Sequence, residues 1–590
     1  MSRAEIGQLT QWSGSPPSPI VSSSTTPVFA RLPVEINIAI ISLFCKHCNL
    51  QDLNTDYPSS FWNSKALNSA LATLSALSKT CKLLQRQAQP ILHHFFPGPS
   101  FCFQEPTDRH RFYLFLRTLS SRPDLASAVR CLGFDGNKWD FPRCAPWDER
   151  GSKQIVRAAL HCGLSLPPAW FLNPSDATPS PYNKKKQSDQ SDHEVKPSID
   201  VRSFETHTFL ILLALHLCQN AKVIDLCGLE NDGVDHIPFN PTSISRIFFK
   251  NLQTFRVDNQ PASVGFGCVR VHGDVVSGLF GHQPSLDLRR LAGLSECLPR
   301  VHTLHICLAF LPAWSQNLAD SDSEPALHHD PAGLPRGLDL SLLTCLDLIL
   351  CIMTEKHLGL ILSGCVNLND FTFVSMQFHT ALSHPDRHVN QAAQAHEISS
   401  TLNLRCPGLH RTLRRLALEH LANDKVGYSG VYTSLKNFVG LEEICLGTNG
   451  LLTTLDDCHG LDSKRDGNRP EHPVPLADIL PPNIVSLDII EAGEWKGRVS
   501  SAIIDLLQEM KSNPTILRRL KEIRVWENPI WNWLDNDPRR DDFCNMIVTG
   551  EVWDPKLEEL ARTVGVRFCI DPRPIPPVIH RLQRSDHSLE

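Results

Sequence analysis

A short apolar segment of one pattern recurs along this chain, and it constrains the fold more than any other feature. It reads VIDLCGL (223–229), LQTFRVD (252–258), VHTLHICL (301–308), LTCLDLIL (343–350), LNDFTF (368–373), LRRLALEHL (413–421), LEEICLG (441–447), IVSLDII (484–490) and LKEIRVW (520–526). Most share a leucine-x-x-leucine-x-leucine core, whose last positions alternate as a strand with one buried face does. A further strand is expected at 129–134, closing the segment HRFYLFLRTLSSRPDLASAVRCLGF (110–134), which opens as a helix and stops around Arg122 and Pro123. Leucine-rich stretches lead into several strands, among them FLILLALHLCQN (209–220) and LGLILSGCVN (358–367). The series closes with KLEELARTVG and VRFCI, over 556–570.

One strand, one turn and one returning helix per unit is the pattern of a leucine-rich-repeat solenoid, whose units bury their apolar faces against neighbours. The strand starts lie roughly 25 to 50 residues apart, against about 20 to 29 in ordinary leucine-rich repeats. The repeats are therefore irregular or carry insertions, and the asparagine ladder of regular repeats is missing. An ordinary α/β domain with a parallel sheet is the alternative. Polar insertions are assigned to 176–198, 316–333 and 456–473, and Lys184, Lys185 and Lys186 are read as part of a charged loop. The repeat domain is placed at 110–570, with Trp531 and Trp533 capping its end, and 571–590 as a tail.

Ahead of the repeats, 1–27 is rich in Ser, Thr and Pro and reads as a disordered lead-in without a secretory h-region. LPVEINIAIISLFC (32–45) follows, with Pro33 suited to a first helical turn. Ile36, Ile40 and Leu43 recur at helical spacing, and Ile38 and Ile41 widen the stripe beyond what a solvated helix favours. Polar residues at 49–64 break the pattern. A second helix is expected from Ala66 to Gln85 and a third from Arg86 to Phe95, which Pro90 kinks or restarts. Three short helices within 28–96 give a core that is marginal alone.

LPVEINIAII followed by LATLSALSKTCKLLQRQAQPILHHFF resembles the F-box of many filamentous-fungal proteins. Leu32, Pro33, Glu35, Ile36 and Ile40 match its opening helix. Leu74, Leu77, Ser78, Thr80, Cys81, Lys82 and Leu84 match its later segment, and Ala88, Pro90, Ile91 and Leu92 its exit. The spacer from Asn49 to Thr73 is longer than the family's and carries Phe61 and Trp62. In that family the F-box binds the Skp-type adaptor of cullin (SCF) ubiquitin ligases through an apolar face containing the Leu–Pro pair. The resemblance thus implies adaptor contacts at Leu32, Pro33, Ile36, Ile40 and Leu77; the other reading makes Ile36, Ile40 and Leu77 core residues. Relatives commonly continue into degenerate leucine-rich repeats through a junction like RTLSSRPDLASAVRCLGF.

The expected fold class is therefore α/β: an N-terminal three-helix F-box-like module, then an irregular leucine-rich-repeat solenoid. The implied function is that of a substrate receptor, joining a Skp-type adaptor and through it a cullin to an unknown substrate protein. Such a receptor is not an enzyme. The rival is a non-ligase leucine-rich-repeat interaction scaffold whose helices only cap the solenoid.

A formal charge of -6, from 57 basic and 63 acidic side chains, argues against nucleic-acid binding through bulk electrostatics. ILLALHL (211–217) is too short to span a bilayer. No membrane is expected, and the compartment is cytoplasmic and/or nuclear. The 20 cysteines fall mostly singly on apolar runs, as at Cys227, Cys307, Cys345 and Cys445, and read as reduced, buried thiols. Cys45-Lys-His-Cys48 is the one close pair; lacking a second pair at zinc-site spacing, it reads as core plus loop. His93 and His94 are adjacent and point apart on a helix, and His216 reads as a core or surface histidine. Phosphate-cradle, zinc-protease and nucleophile-elbow motifs are absent, and GFGCVRVHG (265–273) lacks the needed spacing. No catalytic residue, metal or cofactor is expected; an enzyme built from distant residues is the third alternative.

Overall fold

The computed structural model describes residues 31–48, 65–96, 107–135, 149–166, 204–227, 251–258, 286–287, 301–310, 340–376, 395–421, 432–452, 474–491, 496–527 and 553–571, excepting 46, 47, 165, 308 and 352. The 1–27 lead-in, the three polar insertions, Trp531, Trp533 and all but Asp571 of the tail lie outside the described residues.

Twelve strands form one parallel sheet. They are β1 (Phe95–Phe96), β2 (Cys131–Asp135), β3 (Val223–Cys227), β4 (Thr254–Asp258), β5 (Thr303–Cys307), β6 (Cys345–Cys351), β7 (Asp370–Met376), β8 (Arg415–Leu421), β9 (Glu443–Gly447), β10 (Ser486–Glu491), β11 (Glu522–Glu527) and β12 (Arg567–Asp571). Spatial order equals chain order. Every connection therefore returns to the start of the next strand, and the sheet grows one repeat at a time into a solenoid-like α/β architecture.

The repeated motif explains this arrangement. Its first leucine stands two residues ahead of β4, β6, β7, β8, β9 and β11, as Leu252, Leu343, Leu368, Leu413, Leu441 and Leu520, all buried. Its second and third fall on the second and fourth strand positions, as in Leu346 and Leu348 of β6 or Leu416 and Leu418 of β8. Strand pairing keeps the second position in line from repeat to repeat: Leu346 pairs with Phe371, Phe371 with Leu416 and Leu416 with Ile444. A continuous apolar layer results, and burying each such side chain is worth about 1.5–3 kcal/mol.

Flanking helices close the layer: α4 (Thr107–Ser121), α5 (Pro123–Ala128), α6 (Glu149–His161), α7 (Phe204–Leu217), α8 (Glu355–Gly364), α9 (Ala395–Arg405), α10 (Lys496–Ser512) and α11 (Lys556–Val564). In α7 every residue from Phe209 to Leu215 is buried, since the helix touches α4 and α5 as well as the core. This accounts for an apolar run with no polar face.

A backbone ladder ties the turns together. The carbonyl of Arg130 accepts from Lys222 N at 2.6 Å and Val223 N at 3.1 Å, and the scheme repeats as far as Arg567 N on Lys521 O. Asparagines reinforce it at a place different from the ladder of regular leucine-rich repeats, where the asparagine follows the strand. The third residue ahead of β3, β4, β7 and β10 is Asn220, Asn251, Asn367 and Asn483. Each amide donates to the preceding turn: to Ser127 O, Asn220 Oδ1, Ser341 O and Val439 O, at 3.1, 3.4, 2.8 and 2.8 Å. The residues precede the strands, and uneven repeat length hides their register in the sequence.

Among the described residues, three helices precede the sheet: α1 (Val34–Ser42), α2 (Lys65–Thr80) and α3 (Lys82–Leu92). The break falls at Cys81, extended at φ -156°, ψ 163°, rather than after the expected Gln85. It turns Leu84, Ala88 and Ile91 onto Ile41 and Leu74 to make a separate small core. Pro90 lies in the last turn of α3, which continues to Leu92.

Candidate functional site

The candidate site begins with the outward face of the helical module. Pro33 is the N-cap of α1, one position outside the helix, and its carbonyl accepts from Ile36 N and Asn37 N, both at 3.1 Å. The helix that follows turns a different set of residues inward from its isoleucine-rich stripe. Asn37, Ile41 and Cys45 are buried, a one-turn spacing that points them inward. Ile36 is 46 % exposed and Leu43 65 %, so the stripe Ile36–Ile40–Leu43 lies largely on the outside.

Pro33 and Ile36 are exposed, Leu32 and Ile40 half-buried, and Leu77 half-buried against the module core. The core reading therefore fails for Ile36 and holds in part for Ile40 and Leu77. Val34, Ile38, Phe44 and Leu83 are also exposed, though sequence reasoning did not select them. Their signal was the excess of apolar residues around α1, more than the inward stripe needs. With Ile36 and Leu43 they make six of the ten large apolar side chains exposed among the described residues.

The second candidate surface is the face of the sheet opposite the leucine layer. At the middle strand position, Asp225, Arg256, His305 and Asp347 follow one another on β3 to β6 in matched register. Arg256 Nη1 lies 3.9 Å from Asp225 Oδ2, and His305 Nδ1 lies 3.5 Å from Asp347 Oδ2. The opposite charges of Asp225 and Arg256 on adjacent strands favour this register, though Asp225, Arg256 and His305 are closed to solvent. Towards the C-terminal end the polar face opens. Glu443 and Arg567 are exposed, and Asp488, Glu522 and Arg524 half-buried. Glu522 Oε1 accepts from Arg524 Nη2 at 3.0 Å, and Arg524 lies over the Trp526 ring at 5.4 Å. Asp370 and Arg415 form a two-point pair between β7 and β8.

On β8, burial pushes the Glu419 carboxyl up to about 8. His216, in α7, is buried. His93 is held by Gln89 O, 2.8 Å from its Nδ1, and stacks on Phe115, whereas His94 faces Cys45 and Cys48. These last three form the group of metal-ligating side chains that converges among the described residues. Among the described residues, no helix is long and apolar enough to cross a membrane.

No protein-family model matches this chain, and no curated protein sequence matches it.

Proposed function

We propose that the chain is a substrate receptor of a cullin-type ubiquitin ligase, built as an F-box followed by irregular leucine-rich repeats. The F-box helices dock a Skp-type adaptor through Leu32, Pro33, Ile36, Ile40 and Leu77, and through it a cullin. The repeat sheet holds a substrate protein, with the open polar end around Glu443, Asp488 and Arg567 the accessible part of its face. The receptor performs no bond chemistry; it raises the effective concentration of a substrate lysine beside the charged conjugating enzyme. It acts in the cytoplasm and/or nucleus.

The observation that carries this reading is the exposure of Val34, Ile36, Ile38, Leu43, Phe44 and Leu83 on one small module. Apolar side chains gathered outside a module whose core holds six buried apolar residues among those described suit an interface with an apolar centre. The rival scaffold reading draws on a different observation: β1 belongs to the sheet and α3 packs on α5, as an end cap would. A cap leaves the outward face of α1 without a role.

The test is capture of a purified Skp-type adaptor by the full chain, beside a Leu32→Ala, Pro33→Ala double variant whose circular dichroism matches wild type. Capture by wild type and its loss in the folded variant supports the receptor. Failure of the wild type to capture the adaptor rejects it in favour of the scaffold.

A further inference from the structure

Two thiols and an imidazole meet where the helical module joins the sheet. Cys45 follows α1, and Cys48 N donates to Cys45 O at 3.0 Å, closing a tight turn. His94 stands between α3 and β1, 49 residues beyond Cys45. Its Nδ1 lies 3.3 Å from Cys48 Sγ and 3.9 Å from Cys45 Sγ, and the three donor atoms all lie within 4.8 Å of one another. A tetrahedral zinc ion, with Zn–S of about 2.3 Å and Zn–N of about 2.0–2.1 Å, sets its sulfur and nitrogen ligands about 3.6 Å apart. The two observed separations bracket that value.

We propose that Cys45, Cys48 and His94 bind one zinc ion, with water in the fourth position, and that the ion fastens the end of α1 to the start of the sheet. Thiolates with an imidazole are a donor set that suits zinc over magnesium or calcium. Binding releases the two thiol protons to solvent and changes no oxidation state. His93, held by Gln89 O and Phe115, does not compete with its neighbour.

The surrounding fold gives such an ion work to do. Cys45 belongs to a core with six buried apolar residues among those described, and small units commonly need a metal or a crosslink. The backbone carbonyl of His94 accepts from Arg130 N at 2.8 Å and Cys131 N at 2.9 Å. The residue holding the metal is thus also the first rung of the ladder that runs through the repeats. Zinc would close the long loop between α1 and β1 and hold the module in one orientation on the sheet. This inference does not depend on what the module docks.

The test uses the full chain, purified under reducing conditions, stripped with a chelator and titrated with Co²⁺ and then Zn²⁺. Expected are about one equivalent bound per chain, a thiolate-to-cobalt charge-transfer band with the visible bands of a tetrahedral ion, displacement of cobalt by zinc, and a thermal midpoint that zinc raises. The bands should vanish in Cys48→Ser and His94→Gln but persist in Cys81→Ser, which alters an exposed cysteine outside the cluster. A wild-type spectrum of octahedral cobalt without thiolate charge transfer overturns the proposal, even where a variant fails to fold. Bands that persist in both Cys48→Ser and His94→Gln overturn it too, as does a Cys45–Cys48 disulfide found by peptide mass after thiol blocking at lysis.

Discussion

The helical module and the sheet draw on similar apolar residues but dispose of them differently. In the sheet, Leu346, Phe371, Leu416 and Ile444 come into line because each repeat supplies the next with a partner, and the layer they form is closed to water. In the module, among the described residues, Ile41, Cys45, Leu74, Leu84, Ala88 and Ile91 form a small core with Cys48, Leu77 and Leu92 against it, while Ile36, Leu43 and Phe44 remain outside. Repetition lets a solenoid satisfy itself from within. The helical unit has no such repeat, and among the described residues its surplus of isoleucine and leucine stays on the outside.

Substitutions can break or sharpen this contrast. The largest effect belongs to the sheet: Phe371→Ala should cost about 3–5 kcal/mol in urea unfolding, since the ring is fully buried between repeats. Gly440→Ala comes next, at about 1–3 kcal/mol, because an added Cβ would sit 2.4 Å from the backbone carbonyl oxygen of Arg411. Asn483→Ala should cost about 0.5–1.5 kcal/mol through loss of its bond to Val439 O. Ile36→Ser, on the outer face of α1, should change stability by no more than about 0.5 kcal/mol while abolishing adaptor capture. A large loss of stability in Ile36→Ser would make that side chain part of the core and erase the contrast.

Glu419 sharpens the comparison by pH. Its folded value of about 8 stands above the ordinary 4.5 because burial disfavours the charged form. Between those two values the folded chain keeps a proton that the unfolded chain has lost. Stability therefore falls as pH rises through this window, by at most about 1.4 kcal/mol per pH unit. Unfolding of Glu419→Gln should show a flatter dependence and greater stability than wild type at the alkaline end. Identical pH slopes in the two proteins would contradict the buried, proton-bearing state.

The sheet was legible because its signal is local: each strand motif carries its three core positions within six residues, and β3 to β11 all formed where the motif stands. The asparagine rungs were not, because their register is fixed to strand starts and unequal insertions blur it. The module was legible in outline only. Helical spacing placed α1, but the same isoleucines serve more than one face, and the choice of Asn37–Ile41–Cys45 as the inner side depends on Leu74 and Leu84. The break at Cys81 had no proline or glycine to announce it. His94 was hidden from the Cys45–Cys48 pair because a ligand 49 residues away leaves no spacing to read.

Hydrogen exchange of the full chain with and without a purified Skp-type adaptor addresses the central claim most directly. Slowed exchange is expected in α1 and at the α2–α3 junction, with the strands β6 to β11 unchanged. Unaltered exchange throughout the module, under conditions where the adaptor binds a known F-box, would contradict it.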